Sequence, residues 1–204
     1  MKAREKILRA ADKLFGEAGY DATSTREIAE LCDVNKALIH YHFKSKEALL
    51  EAVLDNYYGK LNKTILEALR KEGAVRDKLL ALIDVYTDFL ASNLNFSRII
   101  QRESSGGKLQ GLISRNMLPV FRMGEEMIHG AYPETRSGVF AAHHLMVSFF
   151  GMVVGYYTYS GVLKDMIGGD PLSKKELEDR KKHLFRMFDI IEKEMIAENG
   201  TYEK

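Results

Sequence analysis

The sequence predicts an all-α protein, and three observations carry that prediction. Apolar residues recur at helical spacing through most of the chain. Only 3 prolines occur in 204 residues, with no Gly/Ser-rich tract, so the punctuation of strands and hairpins is nearly missing. Ser24-Thr-Arg-Glu27 has the pattern of a helix-starting capping box. A composition of 46% hydrophobic and 29% charged residues excludes general disorder. The net charge of +1 excludes nucleic-acid or membrane binding by bulk charge, so any such activity must come from local placement. Cys32, the single cysteine, has no intramolecular partner and fits no metal-ligand spacing. No metal or cofactor is expected, and a reducing, cytoplasmic setting fits best.

About nine helices are expected. In the first, over Lys2 to Ala18, Ile7, Leu8, Ala11, Leu14 and Phe15 form one face, and Gly19 stands where a C-terminal cap belongs. The capping box opens a short second helix that runs through Cys32. Asp33-Val-Asn35 makes a tight connection to a third helix, Lys36 to His42, of two turns at most. Ser45 caps a long fourth helix that runs through Leu49, Leu54, Leu61 and Leu69, with Gly73 just past its end. Further helices are predicted at about 75–92, 95–103, 109–130, 134–161 and 173–198, with clear breaks at Ser104-Ser-Gly-Gly107 and Gly168-Gly-Asp-Pro171.

The N-terminus has charge but no apolar run behind it, which excludes a secretory signal peptide. Val139 to Leu163 contains no Asp, Glu, Lys or Arg, and is long enough for a membrane span. It also carries three glycines, His143, His144 and a Tyr-rich end, so it is read as a helix buried by its own domain and a partner subunit, with no membrane role.

Two short helices joined by a tight turn and braced by a preceding helix form a helix-turn-helix, here over about 25–44, whose second helix enters the major groove. At 100° per residue, Lys36, Ala37, His40 and Tyr41 share one arc. Ile39, with Val34 and Phe43, faces inward onto Ile28, Leu31 and Leu14. Lys36 can donate to guanine O6 and N7, Ala37 admits close approach, and His40 donates or accepts. Tyr41, His42, Lys44 and Lys46 suit phosphates, and Thr25 and Arg26 open a helix whose N–H groups favour an anion. Arg4 and Asn35 complete the expected DNA-binding set. Residues 1–46 hold nine basic against seven acidic residues, so two subunits reading two half-sites of a pseudopalindromic double-stranded operator are required.

The run Thr25-Arg-Glu-Ile-Ala-Glu-Leu-Cys-Asp-Val-Asn-Lys-Ala-Leu-Ile-His-Tyr-His-Phe-Lys-Ser-Lys-Glu-Ala-Leu-Leu50, with Ile7 to Tyr20 before it, resembles the DNA-binding signature of the TetR family of transcriptional repressors. The resemblance implies base contacts at Arg26, Lys36, Ala37 and His40, and backbone contacts at Thr25, Leu38, Tyr41, His42 and Lys46. Two positions depart from the family pattern. His40 stands where Tyr is usual, and Leu38 where Thr or a small polar residue is frequent. Leu38 cannot hydrogen-bond a phosphate, but can pack on sugar or on a thymine methyl.

The organisation expected is a DNA-binding domain at 1–46, linked through a long helix over 46–72, and an effector-binding, dimerising domain at 47–204. Tyr86, Phe89, Arg102, Met117, Phe121, His143, Met146 and Phe150 are the candidate lining of a mostly apolar effector pocket. Gly151 and Gly155, with the seam Leu177, Leu184, Phe188, Ile191 and Met195, are the candidate homodimer interface. Together these read as a regulator, a repressor released by a small effector. The alternative is a helical DNA-binding dimer controlled by a protein partner. No nucleophile-base pair or phosphate loop points to an enzyme.

Overall fold

The computed structural model of the chain describes residues 2–104 and 110–202, and shows ten α-helices and one 3₁₀ turn among them, with no strand. The first four are α1 (Ala3–Ala18), α2 (Thr25–Leu31), α3 (Lys36–Phe43) and α4 (Lys46–Leu69). Each starts within one residue of the limit read from caps and glycines and stops within three. Next come α5 (Val75–Ser92), α6 (Leu94–Ser104) and α7 (Gln110–Ala131), then the 3₁₀ turn Pro133–Arg136. The last three are α8 (Ala142–Thr158), α9 (Ser160–Ile167) and α10 (Lys174–Tyr202).

The single helix expected over 134–161 is corrected to a 3₁₀ turn, α8 and a separate α9. Gly138, at φ 81°, interrupts the run before α8, and α9 leaves α8 at a 69° bend. No single described helix is long and apolar enough to cross a membrane; only the bent pair α8 and α9 passes by length and composition. Of the break expected at Ser104 to Gly107, residues 105–107 lie outside the described residues.

The chain divides into two compact units, Met1–Asn62 with Asn93–Met117, and Lys63–Ser92 with Leu118–Lys204. The first therefore reaches beyond the expected 1–46 and takes in α6. Its core holds Ile7, Ala11, Phe15, Ile28, Leu49, Leu54 and Leu61, all with no exposed surface. Leu31, expected under the recognition helix, is instead 47% exposed. Helix α6 clasps the end of α1. The Arg102 guanidinium donates from Nη1 to the Gly16 and Glu17 carbonyls, both at 3.2 Å. The Glu103 carboxylate accepts from the Tyr20 N–H at 3.3 Å. Asp12 accepts from the Tyr57 hydroxyl at 2.6 Å and from the Asn95 amide at 3.2 Å, tying α1 to α4 and α6. Burial and the neighbouring Asp12 carboxylate push the Tyr57 phenol well above its usual range.

In the second unit, the Tyr157 hydroxyl donates to the Thr87 carbonyl at 2.7 Å, fixing α8 on α5. Lys181 of α10 bridges Asp84 and Asp88 of α5, each at 2.7 Å. Arg76 pairs with Asp189 and Glu192, and Glu192 also accepts from the Tyr132 hydroxyl. Leu184, Phe188 and Met195 are 0%, 9% and 4% exposed. That corrects the α10 seam: these three face the unit's own core, with Phe188 5.8 Å from the Phe149 ring.

Gly16 tests the α1–α6 packing directly. A Cβ there would stand 2.5 Å from Asn95 Cγ, whereas one at the exposed Gly59 of α4 meets nothing within 4 Å. Gly16→Ala is expected to destabilise the fold by about 1–3 kcal/mol through overpacking. Gly59→Ala should stabilise it by about 0.5–1 kcal/mol, the usual helical difference. Urea unfolding of both variants checks the opposite signs.

Candidate nucleic-acid interface

The turn between α2 and α3 is made by backbone geometry. Asp33 adopts φ 51°, which short polar side chains tolerate. The Val34 N–H then bonds to the Ala29 carbonyl at 3.1 Å. Ser24 caps α2 through the full capping box: its hydroxyl accepts from the Glu27 N–H at 3.2 Å, and Glu27 accepts from the Ser24 N–H at 2.7 Å. Those bonds hold the Glu27 carboxyl below its ordinary range. Asn35 caps α3 by accepting from the Ala37 N–H at 2.8 Å, a bond that uses its amide oxygen and not its N–H₂.

Ile39 and Phe43 are buried, at 2% and 6%, and these two side chains set the roll of α3. Lys36, Ala37, Leu38, His40 and Tyr41 are consequently exposed, Tyr41 at 71%. Thr25, Lys36, Ala37, His40, Lys44 and Lys46, with Ile39 and Ser45, line a depression of about 270 Å³. Three lysines and no carboxylate surround it, so its local charge is positive although the domain's is nearly balanced.

Several predicted contact residues already have partners. Arg26 pairs with Glu30 one turn on, at 2.8 Å, and this bond holds it further toward its charged form. The Lys46 ammonium donates to the Tyr20 and Thr23 carbonyls, at 2.8 and 2.9 Å, and lies 4.1 Å from the Tyr20 ring centroid. One of its three N–H donors then remains for a phosphate. Arg4 lies 5.2 Å from the Phe43 ring centroid, and the half-buried His42 is flanked by Tyr41 and Phe43. Lys44 occupies a strained γ-turn at φ 67°, ψ −46°, closed by Ser45 N–H to Phe43 O at 2.7 Å. Its ammonium stands 5.9 Å from the Tyr41 ring centroid.

The candidate effector residues divide between the units. Tyr86, Phe121 and Phe150 meet in the second, with Tyr86 stacked on Phe150 at 5.6 Å and Phe121 edge-on to it at 5.8 Å. Met146 Cε lies 3.3 Å from where a Cβ at Gly124 would stand. Phe89 is buried, and His143 is exposed beside His144 at 4.1 Å. Arg102 and Met117 belong to the first unit, where Arg102 is spent on α1 and Met117 is buried. On α8, Gly151 is exposed and Gly155 half-exposed, and a Cβ at either meets nothing within 4 Å. Leu177 and Ile191 are half-buried. Sequence reasoning missed Val147, 66% exposed on α8, and Ile190 and Ile196, 49% and 54% exposed on α10. Their signal was apolar side chains left over once the inward faces of those helices are filled.

A capped helix-turn-helix with a polar, cationic outer face is the arrangement of helix-turn-helix DNA-binding domains. Residues 7–53 match the family described as bacterial regulatory proteins, tetR family. This N-terminal segment is therefore similar to the DNA-binding domain of that family. It is 28% identical over 130 residues to the probable HTH-type transcriptional regulator YttP of Bacillus subtilis, which covers 63% of this chain and 61% of YttP. It is 29% identical over 120 residues to the HTH-type transcriptional repressor NicS of Pseudomonas putida, over 57% of this chain and 55% of NicS. The matched segments thus span less than two thirds of these relatives' own lengths. Among solved structures, AibR in complex with isovaleryl coenzyme A and operator DNA shares the fold. Its TM-score is 0.74 at 21% identity, over 91% of this chain and 97% of that one.

Lys44→Gly separates stability from binding. Glycine relieves the positive φ, so the variant is expected to unfold about 1 kcal/mol less readily. It also loses a cation beside the depression, so DNA affinity should fall, with the salt slope lowered by about 1 per subunit. Urea titration and fluorescence anisotropy at several salt concentrations check the two halves.

Proposed function

We propose that the chain is a sequence-specific transcriptional regulator that binds a pseudopalindromic operator as a homodimer, and a repressor released by a small, largely apolar effector. The observation that carries this is the exposed arc Lys36, Ala37, His40 and Tyr41, rolled outward by the burial of Ile39 and Phe43. Lys36 and His40 supply base-edge donors, while Tyr41, Lys44 and the N–H groups opening α2 and α4 take phosphates.

A single domain with this near-balanced charge has little non-specific affinity, so both half-sites must be engaged together. The open face of α8, with Val147 66% exposed and space above Gly151 and Gly155, supports a second subunit lying there. The aromatic group Tyr86, Phe121 and Phe150 supports an apolar effector in the second unit, each ring being only partly covered. Helix α4 runs from the DNA-binding unit across residue 62 into the second unit, and so connects them covalently. An effector that favours one setting of α4 by a few kcal/mol changes the half-site spacing and releases the operator.

Mobility shift with a sequence enriched from random DNA tests the regulator reading. Salt-sensitive, sequence-specific binding is expected, lost in Lys36→Ala and Tyr41→Ala; binding retained by both variants refutes the assigned face. Sedimentation tests the interface: the parent is expected as a dimer and Val147→Arg as a folded monomer. A parent that sediments as a monomer at micromolar concentration rejects it.

A further inference from the structure

We propose that Leu38 reads the 5-methyl group of a thymine in each operator half-site. This deepens the regulator reading above and rests on it. Leu38 is the third residue of α3, and its N–H closes the first turn onto the Asn35 carbonyl at 2.9 Å. The first turn of a recognition helix is the part that meets base edges. Two of the eight α3 side chains, Ile39 and Phe43, already complete the inward packing, and Leu38 remains 36% exposed. At 100° per residue it stands 60° beyond Tyr41 and 160° from His40, so it flanks the hydrogen-bonding arc rather than sharing the cationic depression. It is also not among the residues that line that depression.

An isobutyl group offers a phosphate nothing, and beside a hydrogen-bonding base edge it would leave that edge unpaired. The one apolar group on the major-groove edges of the four base pairs is the thymine C5-methyl. A Leu in this position, on the Tyr41 side of the arc, therefore selects thymine at a step on that side, away from the bases met by Lys36 and His40. It discriminates by burial, without a hydrogen bond.

The test first enriches an operator from random duplexes using the full chain, then replaces its thymines one at a time with uracil, which removes only the methyl. Anisotropy of each duplex is measured with the parent and with Leu38→Ala. One thymine per half-site is expected to show about a fourfold loss on conversion to uracil, the effect of burying one methyl-sized group. With both half-sites converted the loss should reach about fifteenfold. Leu38→Ala, compared at a temperature where its unfolding curve shows it fully folded, is expected to bind thymine and uracil duplexes equally. Uracil scanning with no effect in the parent overturns the inference while leaving DNA binding standing, and places Leu38 on sugar instead. The same uracil sensitivity in Leu38→Ala also overturns it. Failure to enrich any sequence removes the regulator reading together with this one.

Discussion

The placement of the recognition helix depends on one ammonium group. Lys46, at the first turn of α4, reaches back to the Tyr20 and Thr23 carbonyls and rests on the Tyr20 ring. The segment it holds is also gripped by the Glu103 carboxylate of α6 at the Tyr20 N–H, and by Thr23, whose hydroxyl donates to the Gly19 carbonyl at 2.7 Å. This five-residue link sets where the capping box begins, and the box sets the start of α2. A charge-assisted bond to a carbonyl is stronger than a neutral one. Lys46 makes two such bonds while half-buried, where solvent screens them less.

The same constraint explains how a nearly neutral domain presents a cationic face. Asp12 is used inside the unit on Tyr57 and Asn95, Glu27 is used in its capping box, and Glu30 is held by Arg26. Lys36 and Lys44 stay at the surface around the depression. Position, rather than net charge, makes the face electropositive, and a Debye length of about 8 Å in physiological salt makes only such near neighbours count.

What was legible in the sequence is what local rules decide. The approximate limits of α1 to α4, the capping box and the outward arc of α3 all follow from spacing within a few residues, and the structure shows each of them. Long-range competition was not legible. Arg102 lies amid apolar helical sequence exactly as a pocket residue would, yet it caps α1 more than 80 positions away. Leu184, Phe188 and Met195 carry a heptad spacing, which states that a partner surface exists but not whether it belongs to the same chain. Lys46 has the residue type of a phosphate contact, and the carbonyls that claim it are invisible until the loop is folded.

The uncharged run from Val139 to Leu163 shows how one signal acquires its meaning. An amphipathic surface helix needs a polar face, and α8 has little of one. Its inner side is consumed by Ala142, Val153 and Tyr157, all buried, with the Tyr157 hydroxyl satisfied by Thr87. Its other side, Val147 and Gly151, is left open. Of the two apolar faces on this helix, the chain's own helices fill one, and the proposed dimer would cover the other. A second copy meeting the open face through glycines brings helix backbones close, which maximises van der Waals contact. Under the dimer proposed above, the charge-free stretch marks a helix shared between two cores, and it continues past the 69° bend into the first turn of α9.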